Sequence, residues 1–234
     1  MKMKTLGLIG GIGPESTIDY YRRIIALYRK LNQDGSYPAI IINSIDMKEM
    51  LDFIEANELV KLKDYLLREV QKLAKAGADL GLLASNSPHI VFDALASQSP
   101  IPLLSIVEAA CEATKKLGLK RVGLLGTRFS MQGRYYPGVF SRAGITVITP
   151  GADEQVYIHD KYMNELVNGV ISSETHERLL EIVERLKAQK GIEGVILGGT
   201  ELPLILREES YNGIPFLDTT KIHVERAVAQ MLAE

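Results

Sequence analysis

Two stretches decide how this chain folds: Ala76-Gly77-Ala78-Asp79-Leu80-Gly81-Leu82-Leu83-Ala84-Ser85-Asn86-Ser87-Pro88 and Lys190-Gly191-Ile192-Glu193-Gly194-Val195-Ile196-Leu197-Gly198-Gly199-Thr200-Glu201-Leu202. Each runs from a glycine turn through a short apolar run into a loop of small polar residues. The shift from Gly77 to Gly191 equals that from Ser85 to Gly199. Further on, Ile101-Pro102-Leu103-Leu104 corresponds to Ile214-Pro215-Phe216-Leu217 at nearly the same shift, and upstream Leu6-Gly7-Leu8-Ile9-Gly10 matches Val122-Gly123-Leu124-Leu125-Gly126. Landmarks that recur in one order at one spacing mark an internal repeat of about one hundred residues, the size of a small domain.

Working outward, short apolar runs alternate with longer amphipathic segments. Strands are expected at Thr5–Ile9, Ala39–Asn43, Leu80–Ala84 and Leu103–Leu104, then at Arg121–Leu125, Thr146–Ile148, Gly194–Leu197 and Pro215–Leu217. The segments between them carry helical periodicity. In Thr175–Lys190, Leu179, Leu180, Ile182, Val183 and Leu186 fall largely on one side, and Glu181, Glu184, Arg185 and Lys187 on the other. Buried strands joined by crossover helices give a parallel sheet covered on both faces. The class is α/β: two pseudo-symmetric lobes, each a four-stranded parallel sheet flanked by helices. The lobes are expected at residues 1–105 and 106–217, with the last helix, 218–234, returning to the first.

Composition narrows the function. Hydrophobic residues make up 46% and charged residues 24% of the 234, ordinary for a globular protein. A net charge of -2, with no basic block, gives no reason to expect nucleic acid or an anionic membrane as partner. Met1-Lys2-Met3-Lys4 leads only into Leu6 to Ile9, too short for a signal-peptide core or a membrane span, so a cytoplasmic chain is expected. A single cysteine, Cys111, excludes an internal disulfide and any multi-cysteine metal site, and it falls in the apolar helical pattern Ile106–Leu117 as a core residue would. His89, His159, His176 and His223 show no metal-ligand spacing, so no metal is expected.

Ligands of open parallel sheets bind beyond the carboxyl ends of the strands. Four loops there are rich in small polar residues: Gly10-Gly11-Ile12-Gly13-Pro14-Glu15-Ser16-Thr17, Ala84-Ser85-Asn86-Ser87-Pro88-His89, Gly126-Thr127-Arg128-Phe129-Ser130 and Gly198-Gly199-Thr200-Glu201-Leu202-Pro203. Such residues also serve as plain helix caps. A dinucleotide reading of the first loop is weak on two counts. Ser16 stands where the third glycine of GxGxxG belongs, and Asn43 and Ser44, not an acid, close the second strand. The repeat puts the Ser85 and Gly199 loops at equivalent points of the two lobes. If the lobes face each other, these loops approach one ligand from opposite sides, as a two-base reaction on one carbon requires.

The segments Gly10 to Thr17, Asn86-Ser87-Pro88-His89, Leu125-Gly126-Thr127-Arg128 and Thr200-Glu201, with Asp218-Thr219-Thr220 before a helix containing His223, resemble the aspartate/glutamate racemase family over essentially the whole chain. The resemblance implies two α/β lobes with a ligand cleft between them, a homodimer, a small amino-acid or dicarboxylate ligand and no cofactor. It implies that Asn86, Ser87, Thr127 and Thr200 hold the ligand's α-carboxylate and amino group, assisted by the amides near Gly11 and Ile12, with Ser44 and Glu201 beside them. It further implies a catalytic thiol in each lobe, one to remove the α-proton and one to return a proton on the opposite face. Here those two positions hold Ser85 and Gly199. A thiol ionises near 8.5, a serine hydroxyl needs an adjacent base, and glycine has nothing to exchange.

A two-thiol mechanism is therefore excluded for this sequence. Three readings stay open: proton transfer by a non-thiol group, ligand binding without turnover, or lyase or isomerase chemistry that uses Ser85. Glu201, Asp46, His89, Glu165 and His159 are candidate acids or bases, although His89 at a helix start is read first as a capping or packing residue. Lys48 and Lys161 could meet a distal carboxylate, while Met47 and Met50 are read as packing residues.

Overall fold

The computed structural model describes residues 4–233; Met1, Lys2 and Met3, on which part of the N-terminal reading falls, and Glu234 lie outside them. The chain divides into two compact units. One holds the described residues up to Ile106 together with those from His223 onward, and the other is Val107–Ile222.

In the first unit β1 (Leu6–Gly10), β2 (Ile40–Ser44), β3 (Leu80–Leu83) and β4 (Leu103–Leu104) form one parallel sheet in the order β2-β1-β3-β4. β1 and β3 are buried at every residue, which is why they read as unbroken apolar runs and not as an alternation. Helix Pro14–Leu31 lays Ser16, Tyr20, Ile24 and Tyr28 inward, one residue per turn. The last helix, Thr219–Leu232, contributes Val224, Ala227, Val228 and Met231 to the core that Leu6, Leu8, Leu80 and Leu82 form.

In the second unit β5 (Arg121–Gly126), β6 (Thr146–Ile148), β7 (Gly194–Gly198), β8 (Ser210–Tyr211) and β9 (Ile214–Asp218) run in the order β6-β5-β7-β9-β8. Its four parallel strands repeat the first sheet's order, β5 standing for β1, β7 for β3 and β9 for β4. The addition is β8, antiparallel to β9. Two residues are too few to show a period, and a turn makes this strand: Asn212 and Gly213 both take positive φ, 47° and 76°, as the central pair of a tight type I′ hairpin does. Helix Ser173–Lys190 buries Leu179, Ile182, Val183 and Leu186 in the core around Val195 and Leu197, leaving Leu180 partly buried at its margin.

Both sheets reverse strand order at their centre, between β1 and β3 and between β5 and β7. The carboxyl ends of these strand pairs are the topological switch points, where a parallel sheet leaves a crevice for ligands. Among the described residues no helix is long and apolar enough to cross a membrane, and no group of three or more His, Cys, Asp or Glu could hold a metal ion.

Candidate functional site

At the first switch point the chain leaves β1 through Gly11, which has φ +77°. A β-carbon placed on Gly11 would lie 2.6 Å from Ser44 Oγ and 2.8 Å from the Ile45 amide nitrogen, so both conformation and close approach demand glycine. This also sets Ser44, the end of β2, beside Gly11. The Gly11 amide donates to Thr17 Oγ1 (2.9 Å), and that hydroxyl donates to the Gly13 carbonyl (3.1 Å), holding the loop against helix Pro14–Leu31. Pro14 occupies the first turn of that helix, where no amide hydrogen is needed. Ile12 is buried, and buried Ser16 donates to the Ala84 carbonyl (3.1 Å), tying this loop to the one that follows β3.

That second loop is buried throughout: Ser85, Asn86, Ser87 and His89 are all nearly closed to solvent. His89 has the packing role. The Ile106 amide donates to its Nε2 (3.2 Å), so the proton sits on Nδ1, which donates to the Ser85 carbonyl (3.0 Å). Its ring stacks on Phe92 at 4.8 Å. Burial, together with nearby His223, pushes its pKa down to about 3. His223 is fixed in the same manner, its Nε2 donating to the Leu104 carbonyl and its Nδ1 accepting from Tyr20, each at 3.0 Å; burial takes its pKa down to about 4. Both rings are neutral struts, and His89 has no nitrogen left to activate the Ser85 hydroxyl.

At the second switch point Thr127 caps helix Arg128–Gln132, its Oγ1 accepting from the Ser130 amide at 3.3 Å. Ser130 Oγ lies 3.4 Å from Thr127 Oγ1 and accepts from the Tyr135 phenol at 3.0 Å. Beyond β7 the chain passes Gly199, Thr200 and Glu201, all buried. The space that a side chain at 199 would occupy belongs to Tyr162 of helix Ala152–Asn164. A β-carbon on Gly199 would lie 3.0 Å from Tyr162 Cζ and 3.1 Å from its hydroxyl oxygen, and closer still to Cε2. The Tyr162 phenol donates to Glu201 Oε2, and Thr200 Oγ1 donates to the same oxygen at 2.9 Å. Burial and the Glu201 charge hold the phenol well above its ordinary pKa.

The other candidates have local partners. Asp46 caps helix Met47–Glu55, its Oδ1 accepting from the Lys48 amide (2.8 Å). Lys48 pairs with Asp52 (2.6 Å), and Lys161 with Glu165 (2.5 Å), which also accepts from Thr175. His159 Nδ1 accepts from the Arg128 amide (3.3 Å). Met50 is fully buried, and Cys111 is a buried free thiol whose pKa burial raises. Asn43, where a dinucleotide site would need an acid, donates to Glu69 (2.8 Å). Sequence reasoning missed Tyr162 and Tyr135, and gave Ser130 only as a member of its loop. A Gly198-Gly199 pair signals close approach of something to the backbone, but does not say of what.

Comparison with known proteins places the chain in a family. The family model for Asp/Glu/hydantoin racemases matches residues 9–227. The broad specificity amino-acid racemase RacX of Bacillus subtilis is 24% identical over 97% of this chain and 98% of its own length. Among solved structures, a candidate Asp/Glu racemase from Yersinia pestis superposes with a TM-score of 0.89 at 32% identity, covering 99% of this chain and 100% of that one. An aspartate racemase homologue from Pyrococcus horikoshii does so with a TM-score of 0.82 at 33% identity and the same coverage. The chain belongs to the Asp/Glu/hydantoin racemase family.

Proposed function

We propose that this protein binds a small α-amino acid of the aspartate or glutamate type at the carboxyl ends of its strands, without PLP or a metal ion, and does not invert it by a two-thiol route. One observation carries the reading: the repeat-related positions where the family resemblance puts thiols are Ser85 and Gly199, while the polar residues around them are kept. In this reading Asn86, Ser87 and Thr127 meet the carboxylate, helped by the Gly11 and Ile12 amides. Thr200 has given its hydroxyl hydrogen to Glu201, so it offers lone pairs, which suit an ammonium group. Lyase or isomerase chemistry at Ser85 finds no base in His89, whose nitrogens are spent on backbone groups. A cytoplasmic homodimer belongs to the same proposal, on the strength of the resemblance, and light scattering at twice the monomer mass tests the dimer.

Isothermal calorimetry with the L and D forms of aspartate and glutamate, followed by chiral analysis of each mixture, tests the reading. The expected result is saturable binding of at least one of them and no appearance of its mirror image. Inversion of any of the four, or binding of none, would sink it.

A further inference from the structure

Position 199 lacks a side chain, yet its surroundings are chemically equipped. The Tyr162 ring edge and hydroxyl take the space of the absent side chain. The phenol is paired with the Glu201 carboxylate, Thr200 donates to the same oxygen, and the Glu201 amide faces the phenol oxygen at 3.5 Å. Tyr162 is 5%, and Thr200 and Glu201 each 1%, exposed, so water does not compete with these contacts. All four residues lie in one unit.

We propose that Tyr162 and Glu201 form a proton relay that does at position 199 what a side chain there would do, acting on the α-carbon of the bound amino acid. The proposal rests on the binding reading above. In the forward step the ligand's Cα–H bond breaks and its proton goes to Tyr162 Oη. The phenol's own proton passes along the existing hydrogen bond to Glu201 Oε2, and the C–H electron pair stays on the ligand as a carbanion. While the carbanion stands, the protons on Tyr162 Oη and Glu201 exchange with solvent; the return step then carries a solvent-derived proton from Tyr162 to the α-carbon as Glu201 gives its proton back to the phenol. One negative charge moves from Glu201 to the ligand, and a phenolate never stands beside a carboxylate.

The high pKa of the phenol suits it to relaying and not to acting as a free base. A carboxylate, with a reference pKa of about 4, is a weaker base than a thiolate near 8.5, so turnover is slower than a thiol would give. A relay with a single phenol at its end takes and returns the proton on one face of the carbon. The outcome is exchange of the α-proton with solvent and retention of configuration. Gly199 is what leaves room for the relay.

The test uses the full chain in D2O with L- and D-aspartate and L- and D-glutamate, following the α-proton by NMR and the enantiomers by chiral chromatography. One enantiomer of an amino acid that binds is expected to lose its α-proton signal without its mirror image appearing. Tyr162→Phe, which keeps the ring, should slow exchange at least tenfold while the calorimetric Kd stays within threefold, and Glu201→Gln should slow it likewise. Cys111→Ser should leave the rate unchanged. Thermal melting confirms that each variant is folded. Exchange that survives Tyr162→Phe, or a wild type that binds an amino acid without exchanging it, overturns the relay. If none of the four ligands binds, calorimetry shows that the binding reading itself has failed and the relay with it.

Discussion

Acidification from pH 7 to pH 5 should remove about 4 kcal/mol from the stability of the first unit, because folding buries two histidines in their neutral form. His89 and His223 are almost closed to solvent, and their pKa values lie at about 3 and about 4 in the folded chain. An unfolded histidine titrates near 6.5. Below that value the unfolded chain takes up protons that the folded chain refuses, so stability is full above about pH 6.5 and falls as the pH drops toward the folded values. At pH 5 each histidine costs about 2 kcal/mol relative to pH 7, from about 1.4 kcal/mol for each pH unit below 6.5. This size depends on the unfolded value alone, because both folded values lie below 5. The lowered carboxylates, such as Glu69, Glu193 and Glu208, lose their contribution only in more acidic solution, below their ordinary values. Urea unfolding followed by circular dichroism at half-unit pH steps measures the effect. Comparison with His89→Gln/His223→Gln removes the contribution of His159 and His176. The wild-type midpoint should fall steeply between pH 6.5 and 5, and that of the double variant should fall far less. Equal slopes for the two proteins would refute the assignment of neutral, buried imidazoles.

The Tyr162 ring stands against Gly199, so Gly199→Ala should destabilise by about 1–3 kcal/mol through overpacking, and Gly199→Ala/Tyr162→Ala by less than the two single changes added; urea midpoints of the four proteins give the coupling. Gly11→Ala joins left-handed strain to a clash with Ser44 and Ile45, and a cost of about 2 kcal/mol or more should appear as a lower Tm. Ser16→Ala removes a buried bond to the Ala84 carbonyl and should cost about 1–3 kcal/mol in urea unfolding. Thr127→Val keeps the shape and removes the hydroxyl, so on the binding reading it should raise the Kd roughly tenfold, while Thr146→Val, on the exposed start of β6, should leave Kd unchanged; calorimetry decides.

The strands that form the switch points were legible because each is a buried run bounded by turn residues, as in Leu80–Leu83 and Gly194–Gly198, with only Arg121 at the start of β5 exposed. The repeat was legible because Gly77 and Gly191 end helices at the same remove from the loops that follow. Contacts made across sequence were not legible. Nothing near Ser85 in the chain announces that both nitrogens of His89 go to backbone groups, one of them at Ile106. Nothing near Gly199 announces a phenol from helix Ala152–Asn164, because burial of Tyr162 reads in sequence as ordinary helix packing. β8 was overlooked for a different reason. The Asn212-Gly213 pair is itself a hairpin signal, but the strand before it is two residues long.

The two switch points share a strand order and differ in what stands behind the residue that precedes Asn86 and the one that precedes Thr200. Behind Ser85 is an imidazole that holds the backbone carbonyl and leaves the hydroxyl unassisted. A cysteine there changes one atom on an existing Cβ. Behind Gly199 the room for a side chain has been given to a phenol whose hydroxyl is bound to Glu201. Gly199→Cys therefore forces out a buried ring and breaks its bond to a buried carboxylate, which is costly unless another donor takes its place. The glycine, the tyrosine and the carboxylate form one packed unit. It follows that Ser85→Cys/Gly199→Cys alone does not rebuild a two-thiol site. A third change that shrinks Tyr162 is required before a sulfur at 199 has anywhere to stand.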